Sequence, residues 1–408
     1  MRQYRSLPAA LVILALSASA GAYFGRTALA AQDQVSEQYK IFTAGLKAVE
    51  DVYVGDVESE RVIYGAITGM LQTLDPHSSF MDPKSYAQTR ERQEGRYYGL
   101  GITIQVINGD VLIASVFEDS PAYEAGLRRG DVIARIETED TKGWTSEQTV
   151  GRLKGPRGTF VNISLRRGGY EKLIDLRVRR DEVHIPTVAA AVMLDETTGY
   201  IKLTEFAENS DRELGRALGD LTKRGMKRVV FDLRGNPGGQ LDQAILVSSR
   251  FLPKGDMVVY TRGRVNGSDQ DYRAQERSDY LTVPMITLVN RSSASASEIV
   301  SGALQDHDRS LVIGETTFGK ALVQSVYRLS RGAAALITTA RYYTPSGRLI
   351  QRAWDGTFDG YLTYTMRDQD ANKTHTDADL KYTDAGRKVY SGGGIDPDRR
   401  FDGPTEGF

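Results

Sequence analysis

The segment NRSSASASEIVSG, residues 290–302, contains five serines within ten positions and leads into a predicted helix. Ser295 and Glu298 have the S-x-x-E spacing of a capping box, in which both side chains satisfy amide groups at a helix start. On spacing alone, capping is the commoner role. A serine at a strand-to-helix turn can also be a nucleophile, because the next amide, on Ala296, can donate to an oxyanion. The choice between these roles depends on whether Ser295 has a base.

The histidines do not supply that base. His307 follows Ser295 by about 11 helical residues, or roughly 17 Å along the helix axis. The sequence QDHDR around it predicts a solvated loop residue. The remaining histidines are scattered and lack the HExxH spacing of a metal site; they are His77, His184 and His375.

Lys320, in GETTFGKALVQ, is the alternative base. A lysine accepts a proton near neutral pH only if burial or a neighbouring cation lowers its pKa from about 10.4. The apolar residues after Lys320 permit burial. Gln324 lies on the same face of the predicted strand, because side chains alternate along a strand. Four residues span about 13 Å, so a contact between the two side chains needs a bend, which Gly319 can supply.

The same segment also matches a phosphate-binding loop. Residues 314–320 follow the pattern G-x-x-x-x-G-K, and Asp232, after the strand RVVF, would be the metal-binding acid. The pattern fails at Ala321, where a serine or threonine should bind magnesium. The following ALVQSVYRL predicts a strand, whereas a phosphate loop leads into a helix. A P-loop-like nucleotide-binding protein is therefore the weaker alternative.

The composition indicates a globular protein without a polyanionic partner. The chain has 408 residues, with 52 basic and 53 acidic side chains, so neither nucleic acid nor an anionic membrane surface is an expected partner. It has no cysteine, which excludes disulfides, thiolate metal sites and thiol nucleophiles.

Residues 1–30 have the features of an export signal. Arg2 and Arg5 precede an apolar run over residues 7–25, and Ala-Leu-Ala at residues 28–30 has the small-x-small form of a signal-peptidase site. We expect cleavage and an exported protein of the periplasm or cell envelope. The alternative is an uncleaved anchor, because about 20 apolar residues can span a bilayer. Such an anchor would associate the protein with a membrane.

Beyond this signal the chain divides into three predicted regions. Apolar residues at helical spacing predict a helical N-terminal region over residues 31–95, near whose end LDPHSSFMDP predicts a structured turn. Short strands bounded by Gly, Asp and Pro predict a β-rich module over residues 96–180. Alternating strands and helices over residues 181–408 predict an α/β domain, with an insertion near residues 353–389. Ligands of such sheets bind at the carboxyl ends of strands, where DLRGNPGG and NRSSASAS both fall.

The β-rich module resembles a PDZ domain. Its opening, YYGLGITI, corresponds to the carboxylate-binding loop, which would comprise Tyr98, Gly99, Leu100 and Gly101. SPAYEAGLRRGDVI and a second helix near residues 145–154 follow in the order of bacterial protease PDZ modules. The resemblance implies that loop amides hold a free C-terminus while the peptide adds a strand to the sheet. It also implies a positive φ at Gly99, and an apolar pocket for the last side chain at Leu100, Ile102 and Ile104.

Together the motifs resemble those of the carboxyl-terminal processing peptidases, or tail-specific serine proteases. The resemblance covers residues 35–352 and resumes at GGGIDPD; DLRGNPGG, NRSSASASEIVSGALQD, GETTFGKALVQ and ARYYTPSGRLIQ carry it. It implies an α/β protease core of mixed sheet and flanking helices, with an inserted PDZ domain and a helical N-terminal region. It also implies Ser295 as nucleophile, Lys320 as base and Gln324 as the residue that orients the lysine. The oxyanion hole would use the amides of Ala296 and Gly239, with Gly238 as the alternative glycine.

The resulting hypothesis is an exported serine endopeptidase that uses a Ser-Lys dyad and needs no metal or organic cofactor. Its partners would be proteins or peptides with free, apolar C-termini. A non-catalytic PDZ scaffold of the cell envelope is the alternative, against which the intact Ser295, Lys320 and Gln324 argue. Lys154 stands where many family members have an arginine, and a lysine cannot make the bidentate contact by which an arginine would couple the PDZ domain to the core. A second copy of the chain and an activating protein are further candidate partners.

Overall fold

The computed structural model describes residues 36–275, 280–354, 360, 361, 363 and 375–401. The predicted export signal lies outside these residues. The helices are α1 (residues 36–52), α2 (Ser59–Gln72), α3 (Pro83–Glu94), α4 (Pro121–Glu124), α5 (Ser146–Leu153), α6 (Ser210–Lys223), α7 (Leu241–Ser248) and α8 (Ala296–Asp306). In the described part of the chain, none of them is long and apolar enough to cross a membrane.

Short strands make up the rest of the regular structure. Those of the first half are β1 (Ser79–Met81), β2 (Arg96–Gly99), β3 (Ile102–Ile107), β4 (Asp110–Val116), β5 (Val132–Ile136), β6 (Glu139–Asp140), β7 (Phe160–Arg166), β8 (Ile174–Arg179), β9 (Asp181–His184), β10 (Val188–Met193) and β11 (Thr198–Leu203). Those of the second half are β12 (Arg228–Asp232), β13 (Met257–Gly263), β14 (Gln270–Arg273), β15 (Met285–Val289), β16 (Leu311–Gly314), β17 (Leu322–Arg328), β18 (Ala334–Tyr343), β19 (Leu380–Tyr382), β20 (Lys388–Tyr390) and β21 (Arg399–Arg400).

The chain separates into two compact units, one ending at Thr73 and the other spanning Leu74–Phe408. The described part of the first unit consists of α1 and α2, as the spacing of its apolar residues predicts. The Ser59 hydroxyl, at the start of α2, donates to Glu50 of α1.

The second unit begins with the structured turn that LDPHSSFMDP predicts. The Asp75 carboxylate accepts hydrogen bonds from the amides of His77 and Ser78 and from the Ser78 hydroxyl, at 2.7–2.8 Å. This turn leads into β1, which pairs antiparallel with β18. α3 follows, with Asp82 as its N-cap and Pro83 at its first position, a residue order that favours a helix start.

Residues 102–179 contain an antiparallel sheet in the order β3-β4-β5-β7-β8, with β6 on β5. Its alternating apolar side chains enclose a separate core that includes Val111, Ile113, Ile133 and Ile163. A capping box between Thr145 and Gln148 starts α5. Immediately outside this module, β2 and β9 pair antiparallel, so the chain enters and leaves the module side by side.

The remaining residues build two further sheets. One has the order β10-β11-β12-β15-β16-β21, in which β10 is antiparallel and the other strands are parallel. Its core includes Phe231, Phe251 and buried side chains of α6, α7 and α8. The other sheet has the order β1-β18-β13-β14, with β17 also paired to β18. This is the mixed α/β architecture with an inserted β-rich module that the sequence predicts.

The parallel sheet determines where the chemical motifs meet. β12, β15 and β16 are consecutive neighbours, and their carboxyl ends lead into DLRGNPGG, NRSSASAS and GETTFGK. Since parallel strands end at the same edge of a sheet, these three loops lie together. Within the predicted insertion, the described residues include the antiparallel pair β19 and β20.

Candidate active site

The loops after β12, β15 and β16 line one cleft of about 420 Å³, together with side chains from α3 and β17. The structure brings every core residue singled out from the sequence to this cleft: Gly238, Gly239, Ser295, Ala296, Lys320 and Gln324.

Ser295 immediately precedes α8 and has φ 55° and ψ −112°. Residues other than glycine rarely adopt this backbone conformation, so it must be held by its surroundings. The Ser295 amide donates to Glu298 Oε2 at 2.8 Å, and its carbonyl accepts from the Tyr342 hydroxyl at 3.1 Å. The turn presents Ser295 to the cleft at the positive end of a helix, where an attacking alkoxide and an oxyanion are both favoured.

The neighbouring serines have structural partners. The hydroxyl of Ser293 donates to Leu233 O, that of Ser297 to Asn236 O, and that of Ser301 to Ser297 O, at 2.8–3.0 Å. All three residues are buried, whereas Ser295 is partly exposed. Ser293 and Ser297 thus join the DLRGNPGG segment to the start of α8, and the bond of Ser301 lies within α8.

The NPGG loop packs directly against this turn. A Cβ atom at Gly238 would lie 2.8 Å from the Ala296 nitrogen, and one at Gly239 would lie 2.1 Å from Phe206 O. No larger residue fits at either position without moving backbone. The Gly238 amide donates to Asn236 Oδ1 at 2.9 Å. The Gly238 amide is therefore already bound within the NPGG loop.

Lys320 lies shortly before β17 and directly after Gly319, which has φ 88°. Its Nζ donates to Gln324 Oε1 at 2.9 Å. A bulge between Val323 and Gln324 shortens the separation expected of a regular strand. Burial lowers the pKa of Lys320 below its ordinary value, and the carboxylates of Glu298 and Asp75 partly offset this effect. A lysine with a lowered pKa is the form that can accept a proton near neutral pH.

Glu298 connects the Ser295 turn to the Lys320 loop, a role that its capping pattern did not reveal. Its fully buried carboxylate accepts four hydrogen bonds. Oε2 accepts from the amides of Ser295 and Lys320 at 2.8 and 2.9 Å, and Oε1 from the Gly319 amide at 2.7 Å and the Thr317 hydroxyl at 2.5 Å. Burial raises the pKa of Glu298 to about 7, while these donors favour the carboxylate. Because three of the four groups are backbone amides, which can only donate, the geometry favours the ionised form.

Tyr342 of β18 makes a second connection. Its hydroxyl lies against the carbonyl oxygens of both Ser295 and Lys320, and the side chain is 1% exposed. Burial raises the pKa of Tyr342 well above its ordinary value, so the hydroxyl stays protonated as a donor. The motif ARYYTPSGRLIQ contains this tyrosine, but the motif alone does not indicate its role.

One expectation about this part of the chain was wrong. His307 caps the end of α8 but is not a solvated loop residue, because its ring nitrogens meet Asp384 Oδ2 and Met257 O, each at 2.7 Å. Asp384 and the Met257 carbonyl raise its pKa despite burial. The weaker phosphate-loop alternative fails for the reason expected from its sequence: the residues after Lys320 form the strand β17, where a nucleotide site needs a helix.

The β-rich module has an apolar groove of about 410 Å³ between β3 and α5. Leu100, Ile102 and Ile104 line it, as predicted, together with Val150 and Leu153 of α5. This is the position in which a PDZ domain accepts a peptide strand.

The details of the carboxylate-binding loop differ from the prediction. Gly101 has the positive φ of 86°, and Gly99, the last residue of β2, does not. The expectation of a positive φ at Gly99 was therefore wrong. Tyr98 is 43% exposed, and neither Tyr98 nor Gly99 lines the groove, whereas Leu100 and Gly101 do. The loop that faces the groove is thus displaced toward Gly101.

Tyr97, which the sequence did not single out, lies in this groove. The amides of Gly101 and Ile102, the groups expected to bind a peptide carboxylate, act on its hydroxyl and lower its pKa. Burial nevertheless raises the pKa of Tyr97 to about 12, so the phenol is neutral. Lys154 lies over the Tyr97 ring, 4.7 Å from its centroid, and pairs with Glu91 of α3. The residue that replaces the family's arginine therefore contacts α3.

Comparisons with known proteins agree with this architecture. The model of peptidase family S41 matches residues 197–357, a PDZ domain model matches residues 99–178, and the N-terminal domain of the activating protease CtpB matches residues 18–85. The carboxy-terminal-processing protease of Bartonella bacilliformis is 40% identical over 307 residues, which cover 74% of this chain and 70% of the relative. The carboxy-terminal processing protease CtpA of Bacillus subtilis is 34% identical over 348 residues, covering 84% and 74%.

Among solved structures, the photosystem II D1 C-terminal processing protease is 27% identical, with a TM-score of 0.44, and the match covers 88% of this chain and 92% of that one. The matched core family and both relatives named above are peptidases. The chain therefore belongs to peptidase family S41, as a serine-type peptidase of the carboxy-terminal processing kind that carries a PDZ domain.

Proposed function

We propose that this protein is an exported endopeptidase that cleaves substrates bearing free, apolar C-termini, with Ser295 as nucleophile, Lys320 as general base and Gln324 as the residue that orients the lysine. One observation supports this assignment above all. Lys320 Nζ donates to the neutral side-chain amide of Gln324, and burial lowers the lysine pKa. Lys320 and Ser295 line the same cleft.

The reaction begins when neutral Lys320 takes the proton of the Ser295 hydroxyl as Oγ attacks the scissile carbonyl carbon. The carbonyl oxygen becomes an oxyanion that accepts from the amides of Ala296 and Gly239. Lys320 then gives its proton to the leaving amine as the C–N bond breaks, which leaves an acyl-enzyme. A water molecule, deprotonated by Lys320, attacks this ester, and the proton returns to Ser295 as the acid product leaves.

Gln324 contributes by its charge state and its geometry. As a neutral acceptor it fixes Nζ without favouring the ammonium form, whereas a carboxylate at the same place would raise the lysine pKa. The Gly238 amide is already bound to Asn236, which supports Gly239 as the second oxyanion donor.

Substrate selection is assigned to the groove between β3 and α5. Its apolar lining suits a hydrophobic final residue, and the amides of Gly101 and Ile102 suit a terminal carboxylate once the Tyr97 hydroxyl is displaced. Export is proposed from Arg2, Arg5 and the apolar run over residues 7–25. The cell envelope would then be the place of action, either with a cleaved signal or with a membrane anchor.

The catalytic assignment is tested by cleavage of a peptide with a free apolar C-terminus, using Ser295→Ala and Lys320→Ala. Both variants should lose nearly all activity with an unchanged fold, because removing one member of a catalytic unit costs nearly the whole effect. Ser297→Ala is the matched control and should keep cleaving, although losing its bond to Asn236 O costs about 1–3 kcal/mol of stability. A folded Lys320→Ala variant with near-normal kcat would refute the dyad.

Tail recognition is tested separately with the same peptide as free acid and as C-terminal amide. The acid should be cleaved with a higher kcat/KM, because only it carries the charge that the loop amides bind. Equal values for acid and amide would remove the tail-recognition claim and leave the dyad untouched. Export is read from the N-terminus and cellular fraction of the mature protein, and a protein found only in the cytoplasm would contradict it.

A further inference from the structure

Side chains from separate parts of the chain pack together beside the loop that carries Lys320. His77 comes from the turn before β1, Phe318 from the loop itself, and Tyr361 from the predicted insertion. The Tyr361 ring meets the His77 and Phe318 rings edge-on, with centroids 5.3 and 5.7 Å away. The Arg352 guanidinium lies 4.4 Å from the centroids of both Phe318 and Tyr361. Tyr361 is 5% exposed, so the insertion contributes a buried residue to the protease core.

Hydrogen bonds join this cluster to the backbone on both sides of Lys320. Gln351 Oε1 accepts from the Ala321 amide at 2.8 Å, and Gln351 Nε2 donates to the Tyr361 hydroxyl oxygen at 2.9 Å. The Arg352 amide donates to Gly319 O at 2.9 Å, and its guanidinium donates to Tyr361 O at 2.7 Å. Tyr361 is therefore connected to the residue before Lys320 and to the residue after it.

His77 completes the chain at its far end. Its Nε2 lies 2.9 Å from the Tyr361 hydroxyl, and its backbone amide donates to Asp75. Burial and the positive charges of Lys320 and Arg352 lower the pKa of His77 to about 4, against the opposing effect of Asp75. The ring is therefore neutral near pH 7. Since Gln351 donates to the Tyr361 oxygen, the hydroxyl proton is available to Nε2 of this neutral ring.

We propose that Tyr361 is a positioning residue for Lys320, which fixes the Lys320 backbone through Gln351 and shields the lysine from water with its ring. The proposal rests on the proposed function, in which Lys320 is the general base. The Tyr361 hydroxyl and ring have separable tasks, because the hydroxyl holds Gln351 and the ring fills the space between His77 and Phe318.

Two substitutions separate these tasks. Tyr361→Phe keeps the ring and should lower kcat about tenfold with KM changed less than twofold, because the base loses its fixed position but the substrate groove is untouched. Tyr361→Ala should in addition move the acid limb of the kcat/KM–pH profile upward by about half a pH unit or more, because water reaches Lys320 and favours its ammonium form. Tyr390→Phe, which alters a tyrosine stacked on His375, is the matched control and should leave both readouts unchanged.

A double-mutant cycle tests whether Tyr361 acts through Gln351. Gln351→Ala alone should lower kcat at least as much as Tyr361→Phe, and the double variant should be no slower than Gln351→Ala. Additive losses, or a Tyr361→Phe enzyme with normal kcat, would overturn the proposal. Melting temperatures identify variants that fail to fold, and Tyr361→Phe decides the matter if Tyr361→Ala does not fold. Lys320→Ala distinguishes the two levels: if it remains active the proposed function fails, and if it is inactive while the Tyr361 variants are normal, only this inference fails.

Discussion

Replacing Glu298 by glutamine tests whether one buried carboxylate holds the nucleophile and the base in register. The substitution preserves shape and changes one acceptor oxygen into an NH₂ donor. If Oε2 is replaced, the amides of Ser295 and Lys320 face a donor; if Oε1 is replaced, the Gly319 amide does. Each buried amide left without an acceptor costs about 1–3 kcal/mol, so the expected loss of stability is about 1–6 kcal/mol.

The kinetic effect should exceed what stability alone explains. Ser295 holds a backbone conformation that its neighbours must enforce, and a displacement of about 1 Å in a catalytic group can cost roughly a hundredfold in rate. We therefore expect kcat to fall about a hundredfold in folded Glu298→Gln protein, with a melting temperature lower by at least about 1 °C.

Peptide cleavage under saturating substrate and a thermal melt would measure both quantities for Glu298→Gln. Glu315→Gln is the matched control, because Glu315 lies on the loop that carries Lys320 but pairs with Arg291 and makes no bond to Ser295 or Lys320 among those described. The control should retain most of its activity. If Glu298→Gln kept more than half of the wild-type kcat, or if Glu315→Gln lost as much, the carboxylate would not be what holds the two loops together.

Three further predictions concern the base and the peptide groove. Activity should rise with pH as Lys320 loses its proton, with a midpoint below 10.4 because burial lowers the pKa of this lysine; a profile set by a group near 6.5 and abolished in His307→Ala would contradict it. Gly101→Ala should impair cleavage of tailed peptides, since its Cβ would lie 2.2 Å from Ser120 Cβ, whereas Gly126→Ala, at a similar φ with nothing within 4 Å, should be mild; equal kcat/KM losses would argue against a built groove. Tyr97→Phe should bind a free-acid peptide several-fold more tightly in calorimetry, because the amides of Gly101 and Ile102 lose the hydroxyl that competes with a carboxylate; an unchanged Kd would show that the hydroxyl is no competitor.

Local patterns accounted for much of the fold. The alternation of strands and helices after Gly199 predicted an α/β domain, and the rule that ligand sites lie at strand carboxyl ends correctly grouped the NPGG, Ser295 and Lys320 loops. These features depend on periodicity and on chain direction, both of which a sequence displays. The strand after Lys320 was predictable for the same reason, and it excluded the nucleotide-binding alternative.

The features that escaped prediction depend on partners distant in sequence or on a single dihedral angle. From its local spacing, Glu298 matched only a helix cap. Its second role was not visible there, because three of its four donors lie on residues 317–320, distant in the sequence. The pairing of β2 with β9 extends to Gly99, so β2 ends there. The residue with positive φ is Gly101, which packs closely against Ser120. Tyr97 was not recognisable as a groove residue because its hydroxyl turns back onto amides of the following loop.

The arrangement around Lys320 explains how a buried carboxylate can lie near a buried lysine without holding that lysine in its protonated form. A carboxylate bonded directly to Nζ would stabilise the ammonium and hold the lysine protonated. Here Glu298 accepts its four hydrogen bonds from three backbone amides and one hydroxyl, and its bond from Lys320 comes from the main-chain amide. Nζ itself donates to the neutral amide of Gln324. Glu298 thus fixes the backbone of Lys320, and the uncharged Gln324 orients its side chain. Burial remains the dominant influence on the pKa of Lys320.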